Sequence, residues 1–231
     1  MTSLIRMRLA GFVRGGRVLA PLIAGLVVLG VIHGGGQSSA APAYGYSAVM
    51  FFPVFAWLAK LVLDAEPDVQ RRLARVAVGP AREATAGALT AAVLGAVFCV
   101  VAIVAPLALG AIRGPERPDE PSTAAGIVLG VLAHLVSLAA GIGLGALASR
   151  AVTRTVRVGV TVLVAGAVLG VVLGLQGSIA PWLVPPVMAS ARALSAVPLP
   201  PAGEFWLLGG WAVLWCAVVF TAYGWLRRRR S

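Results

Sequence analysis

The sequence predicts an all-α polytopic membrane protein with six transmembrane helices, forming a single transmembrane domain over residues 1–231. Of its 231 residues, 59% are hydrophobic and only 12% are charged, and a soluble protein of that composition would expose more apolar surface than it could bury. Several uncharged runs reach about 18 residues, enough for a helix to cross about 30 Å of hydrocarbon. They are apolar on every face, which argues against a membrane β-barrel.

Six apolar runs are interpreted as spans, at about residues 18–33, 44–63, 84–112, 123–149, 158–176 and 204–226. With the N-terminus placed in the cytoplasm, all but three of the nineteen Lys and Arg residues fall inside; the exceptions are Arg113, Arg117 and Arg192. Because bases near a span resist translocation, we expect both termini to be cytoplasmic and the location to be the cell membrane. A signal peptide cleaved near residues 41–43 is an alternative that would leave five spans.

The composition also narrows the function classes. The net charge of +11 would indicate nucleic-acid binding in a soluble protein, but here the bases orient helices, so no nucleic-acid partner is expected. The only lysine, Lys60, does not follow glycine in a phosphate-binding loop, so the chain is not expected to hydrolyse ATP itself. We predict no catalytic, cofactor-binding or metal-binding residues.

The first 17 residues predict an amphipathic helix ahead of the first span. Ile5, Leu9, Phe12 and Val13 share one side of a helical wheel, with most of the arginines opposite and Arg8 near the edge. Such a helix is expected to lie on the inner leaflet, with the lipid bilayer as its partner. A short flexible basic tail is the alternative.

Residues 177–204 are too broken by proline to form a full span and too apolar for an ordinary loop. Two short helices that re-enter the outer leaflet as a hairpin would reconcile these properties, provided that protein or water covers the irregular backbone. A surface loop anchored by Trp182 is the alternative.

Within the spans, His134 is the one ionisable side chain well inside an apolar run. It is interpreted either as a neutral imidazole bonded to a neighbouring helix or as a contact on a transport pathway. Glycine ridges also run along these spans, and we expect them mainly to pack helices within the chain. They comprise Gly126, Gly130, Gly141, Gly143, Gly145, Gly166, Gly170 and Gly174.

Residues 63–83 hold four of the eight acids and four of the nineteen bases, in the longest predicted cytoplasmic loop. Between Pro67 and Gly79 the spacing predicts a short amphipathic helix. Its apolar face consists of Val69, Leu73 and Val76, and its basic face of Arg71, Arg72 and Arg75. Either the lipid surface or a soluble protein docking from below could receive this helix.

These features together resemble the permease subunits of ABC-2 type transporters. That family has an interface helix before the first span, six spans with cytoplasmic termini, a coupling helix between spans two and three, and a re-entrant hairpin before the last span. They fall in order at residues 1–17, the six runs, 66–79 and 178–203. The stretch DAEPDVQRRLARVAVGPARE also looks like the corresponding loop of small actinobacterial members, although the loop between spans one and two is shorter than in many.

The resemblance implies a transport subunit that exports an amphipathic small molecule, peptide or lipid. Its partners would be a separate ABC ATPase subunit, which binds the ATP, and a second permease copy. Asp68, Arg71, Arg72 and Arg75 would then supply the polar docking contacts, and Val69, Leu73 and Val76 would seat the helix. The alternative is an assembly or channel-like membrane protein without ATP coupling.

Overall fold

The computed structural model of the protein is mostly helical and describes residues 2–229, except for the side chain of Asp68. The helices are α1 Thr2–Arg14, α2 Leu19–His33, α3 Ala40–Leu63, α4 Asp68–Val78, α5 Pro80–Ala108, α6 Thr123–Leu147, α7 Arg150–Thr153, α8 Val156–Val172, α9 Val187–Ser195 and α10 Ala202–Arg229. Two short strands, β1 Ser38–Ser39 and β2 Ile112–Arg113, pair in parallel with Ser38 opposite Ile112.

Four helical stretches are long and apolar enough to cross a membrane: α3, α5, α6 extended through α7, and α10. The pair α1 and α2, bent by 75° at its break, would make a fifth. At 17 residues, α8 is a shorter apolar helix. The structure supports the membrane class in this coarser form, and the count of six spans remains a prediction.

The observed boundaries depart from the predicted spans by a few residues. Helix α3 begins at Ala40 rather than near residue 44, because Pro42 falls in its first turn, where no intrahelical N–H bond is needed. Helix α5 begins and ends about four residues early, with Pro80 at its first position. Helix α8 ends at Val172 instead of residue 176.

Helix α3 lies at the centre, and glycines bring α6 close against it. A Cβ at Gly126 would lie 2.6 Å from the Ala40 Cβ, and one at Gly130 would lie 2.5 Å from the Tyr44 Cβ. Helix α10, by contrast, is mostly exposed. The other ridge glycines also contact side chains of this chain, so the expectation of packing within the chain is confirmed.

The segment before α10 differs from the predicted pair of short helices. Only the second, α9, is an α-helix, whereas the first is a single 3₁₀ turn at Pro181–Leu183. Val187 and Ala191 of α9 are buried against α3, while Trp182 is exposed. Protein therefore covers α9, as the re-entrant interpretation requires.

Candidate functional site at the charged end of the bundle

Six parts of the chain meet at one end of the bundle: α1, the α3–α4 connection, α4, the first turn of α5, the start of α7 and the end of α10. We define the charged cluster there as Arg8, Glu66, Arg75, Glu83 and Arg227, which are joined by ion pairs. Charges withdrawn from water are stable only when they are paired and hydrogen-bonded. The pairings therefore fix how these segments sit together.

Arg8 connects α1 to two of the other segments. Its Nε and Nη2 donate to the two carboxylate oxygens of Glu66 at 2.7 and 2.6 Å, a bidentate geometry. Nη2 also donates to Glu83 Oε1 at 2.8 Å, and Nη1 to the Glu83 carbonyl at 3.0 Å. The Arg8 side chain is only 7% exposed. Instead of lying near the edge of a lipid-facing helix, Arg8 is inside the protein.

The apolar side of α1 also faces protein. Phe12 is 2% exposed within the main core cluster, and Leu9 packs against that cluster. The predicted helix is present, but these two residues contact the protein core rather than the inner leaflet. Met7 and Val13 are exposed and face away from the protein core.

Glu83 is the centre of the charged cluster. Its side chain is 5% exposed, and besides Arg8 it pairs with Arg75 of α4, where Nε lies 3.5 Å from Oε2, and with Arg227 of α10. One carboxylate at the start of α5 thus contacts guanidinium groups from three other helices.

A second set of pairs ties the end of α3 to α7. Lys60 Nζ donates to Asp64 Oδ2 at 2.6 Å, and the backbone N–H of Arg150 donates to Asp64 Oδ1 at 2.8 Å. The Arg150 guanidinium also donates to the Asp64 carbonyl at 2.8 Å. The start of the α3–α4 connection is therefore bonded both to α3 and to α7.

The two faces of α4 are oriented opposite to the sequence expectation. Arg71 is 7% exposed, and Arg75 points towards Glu83. The three residues expected to seat the helix face outward: Val69 is 69% exposed, Leu73 64% and Val76 87%. The reason is that polar and charged groups lie beneath α4, so Arg71 and Arg75 find partners there and the apolar residues do not.

The other two predicted docking residues on α4 are Arg72 and Asp68. Arg72 is exposed beside the apolar residues, and the side chain of Asp68 lies outside the described part of the chain. We define the outer face of α4 as Val69, Arg72, Leu73 and Val76. It is an apolar stripe with a positive charge at its side.

His134 lies far from this end, between α3 and α6. Its Nδ1 is 2.8 Å from the Gly130 carbonyl, which can only accept, so Nδ1–H donates and Nε2 accepts from Ser47 Oγ at 3.2 Å. The side chain is fully buried and does not line either of the two apolar grooves on the sides of the bundle. The bond to Ser47 of α3 agrees with the interpretation of His134 as a neutral imidazole bonded to a neighbouring helix, while Nδ1 bonds within α6 itself. The alternative, a contact on a transport pathway, stays a prediction.

Two apolar grooves open on the sides of the bundle. The larger, about 780 Å³, lies between α3 and α8, with Trp57 and Lys60 on one wall and Val160 and Val164 on the other. The second, about 560 Å³, lies between α6, α9 and α10.

Sequence reasoning missed Arg8, Glu66, Glu83 and Arg227 as site residues. The concentration of charge in residues 63–83 was visible, but Arg8 is separated from Glu66 by 58 positions and from Glu83 by 75. Among the described side chains, which exclude that of Asp68, no three from His, Cys, Asp or Glu form a group that could hold a metal ion. Comparisons with protein-family models, curated proteins and solved structures find no match for the chain.

Proposed function

We propose that this chain is the membrane-spanning permease subunit of an ABC-2 type transporter, driven by a separate ATPase subunit. The observation that carries the proposal is the outer face of α4. Three large apolar residues stand exposed on a short helix between two long apolar helices. Exposed apolar patches mark interaction sites, and this one is supported from beneath by ion pairs.

In this proposal the six spans are α2, α3, α5, α6, α8 and α10, in the cell membrane. The contacts among α1, the α3–α4 connection, α7 and the end of α10 support cytoplasmic termini, because they gather segments rich in bases at one end. The acid-containing loop of Arg113 and Glu120 joins α5 to α6, away from this cluster.

The outer face of α4 is the proposed docking site for the ATPase subunit. Leu73 and Val76 would enter an apolar groove on that partner, and Arg72 would pair with an acid at its rim. The sequence analysis expected the arginines to contact the ATPase and the apolar residues to seat the helix. Here the apolar residues take the docking contacts, because Arg71 and Arg75 bond to the protein beneath α4.

The groove between α3 and α8 is the proposed path for cargo. Its walls are apolar and Lys60 lies at one end, which suits an amphipathic molecule with an apolar body. A second permease copy would close the open side. Movement of α4 by the ATPase would tilt α3 and α5 and change access to this path.

The test is copurification with an ABC ATPase subunit encoded beside the gene for this chain. Wild-type chain in detergent should retain the ATPase, and the Leu73→Asp/Val76→Asp variant should lower its affinity by about tenfold or more, because two apolar contacts become buried charges. Arg72→Glu should weaken association less. Insertion should be unchanged in both variants, because these side chains are exposed.

Ile179→Asp is the matched control, since Ile179 is 94% exposed between α8 and α9. It should bind the ATPase like the wild type. Equal binding by the double variant would contradict docking through the outer face of α4. Failure of wild-type chain to bind any such ATPase would contradict the proposed function and favour the alternative without ATP coupling.

A further inference from the structure

We propose that Glu83 is a positioning residue that fixes α4, α1 and α10 to the first turn of α5, so that these helix ends move as one unit. The role in transport rests on the proposed function, but the mechanical role is a property of this chain alone. It follows from how α4 is attached, from the reach of Glu83 and from the burial of the charges.

Helix α4 is attached to the bundle almost entirely through polar groups. Among the described side chains, none from Asp68–Val78 belongs to a hydrophobic core cluster. Arg71 Nη2 makes two long bonds, at 3.4 Å, to the carbonyls of Leu63 and Glu66, which lie just before the helix. Arg75 of α4 reaches across to α5 through its ion pair with Glu83. Apolar burial therefore contributes little to the position of α4.

Glu83 is placed to bind three helices together. It follows Gly79 and Pro80, whose backbone starts α5, so its carboxylate sits on the first turn directly after α4. Arg8 reaches it across Gly87, where an added Cβ would lie 3.0 Å from Arg8 Nη1. Arg227 reaches it from the last turn of α10.

Burial makes the cluster act as a unit. The side chains of Arg8, Glu83 and Arg227 are each less than 10% exposed. Removing one partner of a buried ion pair leaves an uncompensated charge, which costs far more than losing a surface pair. Neutralising Glu83 would therefore loosen α4 and the end of α10 most and α1 least, because Arg8 keeps its bidentate pair with Glu66. Neutralising Arg75 would loosen α4 alone.

The experiment is hydrogen exchange of the purified chain in lipid nanodiscs, without any ATPase. In Glu83→Gln, amides of α4 and the end of α10 should exchange about tenfold faster or more, while those of α3 and α6 stay at the wild-type rate. Amides of α1 should exchange faster by a smaller factor, because Arg8 still pairs with Glu66. In Arg75→Gln, only α4 should exchange faster. Glu83→Asp keeps the charge and should restore most of the protection.

Glu116→Gln is the matched control, because Glu116 is an exposed acid that pairs with Arg113 in the α5–α6 loop. It should leave exchange in α1, α4 and α10 unchanged. Unchanged exchange of α4 in both Glu83→Gln and Arg75→Gln would overturn the inference, as would a uniform increase through α3 and α6.

With the ATPase present, Glu83→Gln should still bind it through the outer face of α4 but should lose transport driven by hydrolysis. Coupled transport at the wild-type rate would overturn the role in transmission. If the exchange pattern is as expected and wild-type chain binds no ATPase, the positioning role stands and the proposed function fails.

Discussion

Substituting Gly141 on α6 probes the close contact on which the central pair of helices depends. A Cβ added there would lie 2.6 Å from the Phe55 Cβ, 3.0 Å from the Ala56 nitrogen and 3.1 Å from the Phe55 carbonyl carbon. Two of these atoms are backbone and the third is a Cβ, so no flexible side-chain end can move aside. Helices α3 and α6 must separate instead.

The required separation sets the size of the effect. Carbon atoms in favourable contact lie about 3.5–4.0 Å apart, so the helices must part locally by about 1 Å in Gly141→Ala. Overpacking of this kind costs about 1–3 kcal/mol. Alanine also favours a helix over glycine by about 1 kcal/mol, which partly offsets that cost.

Gly209→Ala on α10 separates the overpacking cost from the gain in helix propensity. It has the propensity gain alone, because nothing lies within 4 Å of a Cβ at Gly209. It should be as stable as the wild type or slightly more so. Reversible unfolding by SDS, followed by tryptophan fluorescence, measures both variants. Gly141→Ala should be less stable than Gly209→Ala by at least about 1 kcal/mol, and a difference below about 0.5 kcal/mol would refute the packing argument.

Two further predictions concern polar groups. Hydrogen bonds, mainly from Arg113, lower the pKa of Glu120 from 4.5 to about 2, so the carboxylate stabilises its loop above pH 4.5 and this contribution is lost as the pH falls towards 2. In Arg113→Gln, an NMR titration should show this pKa moving back towards 4.5, and an unchanged value would contradict the pairing. The buried Ser137 hydroxyl donates to the Ala48 carbonyl at 2.6 Å. Ser137→Ala should lose about 0.6 kcal/mol or more in the SDS assay; wild-type stability would count against this bond.

Much of the helical architecture could be predicted from the sequence, because its pattern is local. Uninterrupted apolar runs mark α3, α5, α6 and α10 whatever surrounds them. The helix at Asp68–Val78 was also expected, since Pro67 and Gly79 bound it and its apolar residues recur at helical spacing.

The orientation of α4 was not predictable in this way. An amphipathic helix defines two faces, but its sequence does not say which one meets the protein. That depends on what lies beneath it, and here the neighbouring first turn of α5 carries Glu83. Where a buried carboxylate is available, arginines turn inward, because leaving that charge unpaired would be costly.

By itself, the sequence determined that the chain is a strongly hydrophobic helical protein with basic segments between its apolar runs. Patterns of hydropathy and charge can be read from residues that are adjacent in the sequence. Only the tertiary structure decided that Arg8, Arg75 and Arg227 meet on Glu83, and that Val69, Leu73 and Val76 face outward. An ion pair forms between groups close in space, and the folding of α1 and α10 against α5 brings together charges that lie far apart along the chain.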